Sequence, residues 1–255
     1  MLEQINLDQA VPKKEYERRL PPLQARLYDL EHAVFTEGIP VAIVFEGWAT
    51  AGKGSTISVL AERLDPRGFR VMPITPPRTS EMRYPWLWRF WLKIPARGQM
   101  VVYDTSWYRR VLIDRVSRTV RKREWHNAYQ DIADFEEQLA ADGAVLLKFW
   151  LHISKKDQAQ RMKKLLKSEL TAWQVTEEDL VQRETHAAYL AAVEEMLART
   201  DTPHAPWVIV EATDRYFTRL KVFESIIHAL EARLGDKAPK PQPARRASAK
   251  EANHA

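Results

Sequence analysis

The stretch VAIVFEGWATAGKGS, Val41–Ser55, decides how this chain folds. Val41 to Phe45 is a short apolar run, the pattern of a buried strand. It leads into Gly47, four residues, then Gly52-Lys53, the spacing G-x-x-x-x-G-K. Apolar residues then recur at Ile57, Leu60, Ala61 and Leu64, as on one face of a helix. Strand, glycine loop and helix in this order form a phosphate-binding loop. The glycines let the backbone curl, so that amides at a helix N-terminus point at an anion, and Lys53 adds a positive charge. The predicted phosphate contacts are Gly47, Thr50, Ala51, Gly52, Lys53, Gly54 and Ser55. A chance match in a tight turn is the alternative, and the flanking strand and helix count against it. Gly54 follows Lys53 where such loops carry Ser or Thr, so the hydroxyl that usually meets Mg²⁺ is missing or displaced to Ser55 or Thr56.

Outward from this loop, apolar runs predict further strands at 69–74, 100–103 (ending at Asp104), 144–152 and 207–210. Helical patterns cover Glu15–Phe35 (interrupted at Pro21-Pro22), Trp86–Lys93, Trp107–Ala141, basic helices up to Arg199, and Tyr216–Leu234. Alternating strands and helices predict an α/β fold: a P-loop-like parallel sheet with helices on both faces. Ligands of such sheets bind beyond the carboxyl ends of the strands, where Lys53 and Asp104 both fall.

The 255 residues suit one large domain, read as residues 1–235 with a helical extension over 1–38. Charged residues make up 29% and hydrophobic ones 45%, an ordinary water-soluble balance. No apolar run is long enough to cross a bilayer, and the first residues lack an apolar signal core, so no membrane partner and a cytoplasmic location are expected. The absence of cysteine excludes disulfides and thiolate chemistry. From Asp236 onward five basic residues face Asp236 and Glu251 in a Pro- and Ala-rich stretch, which reads as a disordered basic tail over 236–255. The net charge of +5 is too small to argue for specific nucleic-acid binding.

Asp104 ends an apolar strand after the glycine loop, the place of a carboxylate that holds Mg²⁺ in nucleotide-binding loop proteins, although it could instead cap the next helix. Here a specific resemblance enters. Gly47–Ser55, Trp88-Arg-Phe-Trp91, Tyr103-Asp-Thr-Ser-Trp-Tyr108-Arg109, Leu147–Lys155, and Trp207–Lys221 with Asp214, Arg215 and Arg219 resemble the polyphosphate kinase 2 family, in order, from about Lys13 to Leu234. The likeness is greatest to the second half of two-domain members that pass phosphate from polyphosphate to AMP. It implies a thymidylate-kinase-like fold with a helical lid, about 155–185. It also implies phosphoryl transfer between inorganic polyphosphate and a nucleoside mono- or diphosphate, Mg²⁺ (or Mn²⁺) as cofactor, and assembly as a homodimer or homotetramer. Four positions depart from the family pattern. Ala49 stands where the loop carries a metal-holding Asp, Thr105 where an Arg follows the strand-end Asp, and Leu165 and Gln174 where the lid carries basic residues.

Phosphoryl transfer is mostly positioning and charge neutralisation, so the expected catalytic set is Lys53, Asp104 (also the metal ligand), Arg109 and Arg161. A polyphosphate groove needs a line of cations, for which Arg89, Lys93, Arg110 and Lys164 are the candidates. Each of these sets alone also fits a solvated face. The aromatics Tyr84, Trp86, Trp88, Phe90 and Trp91 fit packing better than base stacking. His126, His152 and His186 lack metal-ligand spacing. A family relative that binds without transferring, and an ATP-dependent nucleoside monophosphate kinase, stand as the other two readings.

Overall fold

The structure is a computed structural model and describes residues 2–240. The five apolar runs form strands β1 (Val41–Gly47), β2 (Phe69–Pro73), β3 (Met100–Asp104), β4 (Val145–His152) and β5 (Trp207–Glu211). They pair in parallel in the order β2-β3-β1-β4-β5. Every residue of the central β1 is buried, as expected for a parallel strand covered on both faces. The register sets Phe45 beside both Asp104 and Phe149, which brings the carboxyl ends of β1, β3 and β4 together.

Before, between and after the strands lie α1 (Lys13–Thr36), α2 (Lys53–Ala61), α3 (Trp88–Trp91), α4 (Ile113–Val116), α5 (Lys122–Ala141), α6 (Lys155–Leu166), α7 (Glu169–Ala172), α8 (Glu177–Glu184), α9 (His186–Thr200) and α10 (Arg215–Leu234). Helices α1, α2 and α10 pack together on one side of the sheet, and α4, α5 and α9 on the other. β4 shows why both faces fill. Phe149 meets Phe45 at 5.2 Å, while its neighbour Lys148 points the opposite way, toward α5 and the end of α9. Lys148 is fully buried, and it donates to Glu136, the Tyr108 hydroxyl and the Thr200 carbonyl at 2.7–2.8 Å. A charge in such a place persists only when its donors are matched. No helix among the described residues is long and apolar enough to cross a membrane.

Three expectations need correction. Helix α1 runs unbroken through Pro21 and Pro22. The prolines remove two backbone donors, but α1 lies along α10 and is tied to it, as by Arg26 and Glu231 at 2.6 Å, so packing holds the helix. The long helix over Trp107–Ala141 is instead a 3-10 turn at Trp107–Arg110, then α4, then a turn with Arg118 at φ 58°, then α5. Trp107 and Tyr108 are buried and bond Glu136, which folds this segment back onto α5. The expected tail is partly structured: Gly235–Lys237 form a 3-10 turn, Lys237 pairs with Glu37, and Arg26 donates to the Pro239 carbonyl. Residues 241–255 of that tail lie outside the described residues.

Glu31, on the buried side of α1, accepts the Asp65 amide on Oε2 at 2.9 Å, while its Oε1 has no partner among the described residues. Burial raises its carboxyl to about 7. The unfolded chain therefore releases this proton at lower pH than the folded one. Stability from this group is greatest below the ordinary glutamate range and falls as pH rises toward 7. Glu31→Gln should gain on the wild type as pH rises, with a larger difference in urea midpoint at pH 8 than at pH 5.

Candidate active site

The glycine loop begins with a close contact. A Cβ on Gly47 would stand 2.7 Å from the Leu151 carbonyl oxygen and 2.8 Å from the Leu151 Cβ, so only glycine lets β1 lie against β4 here. Trp48 then turns inward. Its amide bonds Leu151 O at 3.2 Å, its indole donates to His152 Nδ1 at 3.0 Å, and its ring stacks on His186 at 4.4 Å. The chain curls back as the Ala51 amide reaches the Trp48 carbonyl at 3.0 Å. Gly52, at φ 98°, is the left-handed N-cap that starts α2 at Lys53. Thr50, at φ 63°, holds the same left-handed region with a branched side chain, a strain of about 1–2 kcal/mol. Among the described residues the amides of Gly52, Lys53, Gly54 and Ser55 meet no acceptor, so they remain available to an anion. Ser55 and Thr56 both turn their hydroxyls onto the Gly52 carbonyl, at 3.0 and 2.9 Å. Thr50 Oγ1 points to the Gln158 carbonyl at 3.4 Å.

Across the cleft, backbone bonds fix the end of β3: Thr105 N to Phe45 O at 3.1 Å, and Ile74 N to Asp104 O at 3.0 Å. Ser106, not Asp104, caps the following turn by accepting the Tyr108 amide at 3.2 Å. That leaves the half-buried Asp104 carboxylate with no ion pair or side-chain hydrogen bond among the described residues. Thr105 repeats the left-handed strain, at φ 63°. Between the two loops sits Glu46, 3% exposed, accepting the Ser106 hydroxyl at 2.8 Å. Burial raises its carboxyl to about 7, opposed by the Ser106 bond and the charge of Lys53, and reinforced by Asp104. Lys53 and Asp104 thus act with opposite sign on one buried carboxyl. Among the described residues no three His, Cys, Asp or Glu side chains form a metal cage.

The cations divide by circumstance. Arg109 is buried and forks onto Glu178 at 2.7 and 2.6 Å, with Asp114 at 2.9 Å. Burial works against its charge, but these carboxylates hold the proton above the ordinary arginine value. Arg161 donates to the carbonyls of Thr50, Ala212 and Thr213 at 3.2, 2.9 and 2.7 Å, pinning α6 to the glycine loop, and burial lowers its pKa. Arg89 bonds the Thr75 carbonyl at 2.9 Å, and Arg89 and Lys93 share Glu81 at 3.5 and 4.0 Å. Both are shifted down by burial; Arg78 lowers each further, with Arg109 acting on Arg89 and Arg89 on Lys93. Glu81 thus gathers Arg89, Lys93 and Arg78 around one carboxylate, Arg78 through its backbone amide at 2.8 Å. Arg110 lies 3.7 Å from Glu124 and over the Trp86 ring at 5.7 Å, and Lys164 is exposed on α6.

Four residues escaped the sequence reading: Glu46, Arg78, Glu178 and Gln182. A glutamate at the end of an all-apolar run was a usable signal for Glu46. Nothing local marked the others. The aromatics pack: Tyr84 stacks on Trp88 at 4.1 Å, Trp86 donates to Asp131 at 2.9 Å, and Trp91 meets Phe135 edge-on at 4.7 Å.

A parallel sheet in this strand order, with a glycine loop and a lysine at the start of α2 and an aspartate at the end of the adjacent strand, defines a P-loop kinase-like protein. The profile of the family described as Polyphosphate kinase 2 (PPK2) matches residues 10–238, and the chain belongs to that family. It is 41% identical over 232 residues to a polyphosphate:AMP phosphotransferase of Pseudomonas aeruginosa, covering 91% of this chain and 47% of the relative. It is 32% identical over 226 residues to an AMP/ADP-polyphosphate phosphotransferase of Meiothermus ruber, covering 88% of this chain and 84% of the relative. The crystal structure of polyphosphate kinase 2 from Arthrobacter aurescens TC1 superposes with a TM-score of 0.86 at 28% identity, covering 98% of this chain and 91% of that one. The chain spans about half the length of the polyphosphate:AMP phosphotransferases it matches.

Because the atoms facing Gly47 include backbone, the clash of an added methyl has no easy relief. Gly47→Ala should lose about 2–3 kcal/mol in urea unfolding, toward the upper end for overpacked sites, with lower soluble yield.

Proposed function

We propose that this chain is a phosphotransferase that moves a phosphoryl group between inorganic polyphosphate and a nucleoside mono- or diphosphate. One observation carries the reading. Free amides at the start of α2, Lys53 and an unpaired Asp104 meet at the carboxyl edge of the sheet, around Glu46. The relatives' names support the substrate class, and the free loop amides support a seat for a phosphate chain. The amides of Gly52–Ser55 hold phosphate oxygens, and Lys53 neutralises the group in transfer. A nucleotide phosphate oxygen is already ionised near pH 7, so the attacking atom needs no side-chain base. The patch of Arg78, Arg89 and Lys93, with Arg110 and Lys164, forms the track for a polyanion, whose affinity should fall with salt. Arg109 and Arg161 join the reacting phosphates once they leave their present partners. The helices of residues 155–185 act as the lid.

The donor set at the cleft suits a hard divalent cation of the Mg²⁺ type: one free carboxylate, Asp104, completed by water and substrate phosphates. Such an ion would neutralise charge on the bridging phosphates when bound. Ala49 supplies no second carboxylate, and its amide is taken by Gln182. That observation favours a second reading, a relative that binds polyphosphate or nucleotide but transfers slowly. Assembly into a homodimer or homotetramer and a cytoplasmic location belong to the main reading. The exposed apolar Trp91 and Leu92 support a contact between copies.

Turnover assays decide between the readings: polyphosphate and ATP as separate donors, AMP, ADP, GMP and GDP as acceptors, and Mg²⁺ or Mn²⁺ as the ion. Transfer from polyphosphate, with Lys53→Ala lowering kcat by about 100-fold or more, is the expected result. Transfer from ATP alone, or equal turnover by Lys53→Ala, overturns the proposal. Tight polyphosphate binding with no transfer selects the second reading.

A further inference from the structure

Helix α8 touches both signature loops with one face. At its start Glu178 takes the Arg109 guanidinium with both oxygens, at 2.7 and 2.6 Å. One turn later Gln182 Oε1 accepts the amide of Ala49 in the glycine loop, and also Gln158 Nε2 at 2.8 Å. Residues four apart share a helix face, so the two contacts move together with α8. Arg109 has a second carboxylate, Asp114 on α4, but the two differ in access. The Asp114 side chain is 11% exposed and that of Glu178 42%. Asp114 backs the guanidinium from inside, and Glu178 covers it from the mouth of the cleft.

A carboxylate forked onto a guanidinium offers two anionic acceptor oxygens, as a phosphate also does. A side-chain carbonyl on a loop amide likewise takes the place of a phosphate oxygen. We infer that Glu178, with Gln182 behind it, is a built-in competitor for the anionic donor and so a specificity-determining residue. It occupies Arg109 until a phosphate chain that engages both the glycine loop and Arg109 displaces it. The inference rests on the phosphotransferase reading of the same site. The two contacts are to different loops, and an orthophosphate whose oxygens accept from the amides of Gly52–Ser55 has none left to fork onto Arg109. A single orthophosphate on the loop therefore gains nothing from Arg109, whereas a chain of phosphates gains both contacts. Glu178 sets a threshold of length and charge below which the cleft stays closed.

Calorimetric titration of the full chain with sodium tripolyphosphate and with orthophosphate tests this. Glu178→Gln and Glu178→Ala, checked for folding by circular dichroism, should each bind tripolyphosphate about fivefold more tightly, the scale of one partly exposed ion pair. Orthophosphate affinity should not change. In an Arg109→Met background the gain from Glu178→Gln should disappear, since the partner it frees is gone. Unchanged or weaker tripolyphosphate binding by both Glu178 variants overturns the inference. So does a gain that survives in Arg109→Met, or an absence of binding in every variant. A fivefold gain without phosphoryl transfer to any nucleotide would keep this inference and overturn the reading beneath it. Full transfer by the wild type with no gain would do the reverse.

Discussion

The contact on which the site depends is the approach of β1 to β4 at Gly47 and Leu151. With no side chain at Gly47, β1 stays paired with β4 to its last residue, opposite Leu151, and the chain leaves it at the carboxyl edge of the sheet. Trp48 then fixes the exit direction, because its indole is bonded to His152 and stacked on His186. The curl that follows, through Thr50 and Gly52 in left-handed conformations, is strained at the threonine and held by packing on both sides. The free amides at the start of α2 are the product of this sequence of constraints.

The second loop is built by the same logic from a different strand. β3 pairs with β1 so that Asp104 lies beside Phe45, and Thr105 bonds the Phe45 carbonyl. Ser106 caps the turn and also donates to Glu46, so one hydroxyl links the two loops. Glu46 is a buried carboxyl on which Lys53 and Asp104 act with opposite sign. Burial above all raises this carboxyl to about 7, against the Ser106 bond and the charge of Lys53.

Helices α6 and α8 hold two guanidinium groups on partners supplied by the chain itself. Arg161 lies on three carbonyls and Arg109 on two carboxylates. Buried guanidinium groups require such partners, because the cost of leaving them bare exceeds that of holding a local anion. The exposed Lys164 has no such requirement and stays in water.

The primary sequence by itself determined the α/β order, the glycine loop, Lys53 at the start of the helix that follows it, and Asp104 at a strand end. These follow from local periodicity and from the conformational freedom of glycine, which neighbouring residues alone express. The tertiary structure decided what the sequence left open: the unbroken α1, the folding back of Trp107–Arg110 onto Glu136, and the partners of Arg109 and Arg161. It also brought Glu178 and Gln182 to the site from more than 60 residues away and made Glu46 a buried carboxyl on which opposite charges act. Such pairings join residues distant in the chain. They are fixed by packing and by the need to satisfy buried charge, for which the residues on either side carry no signal.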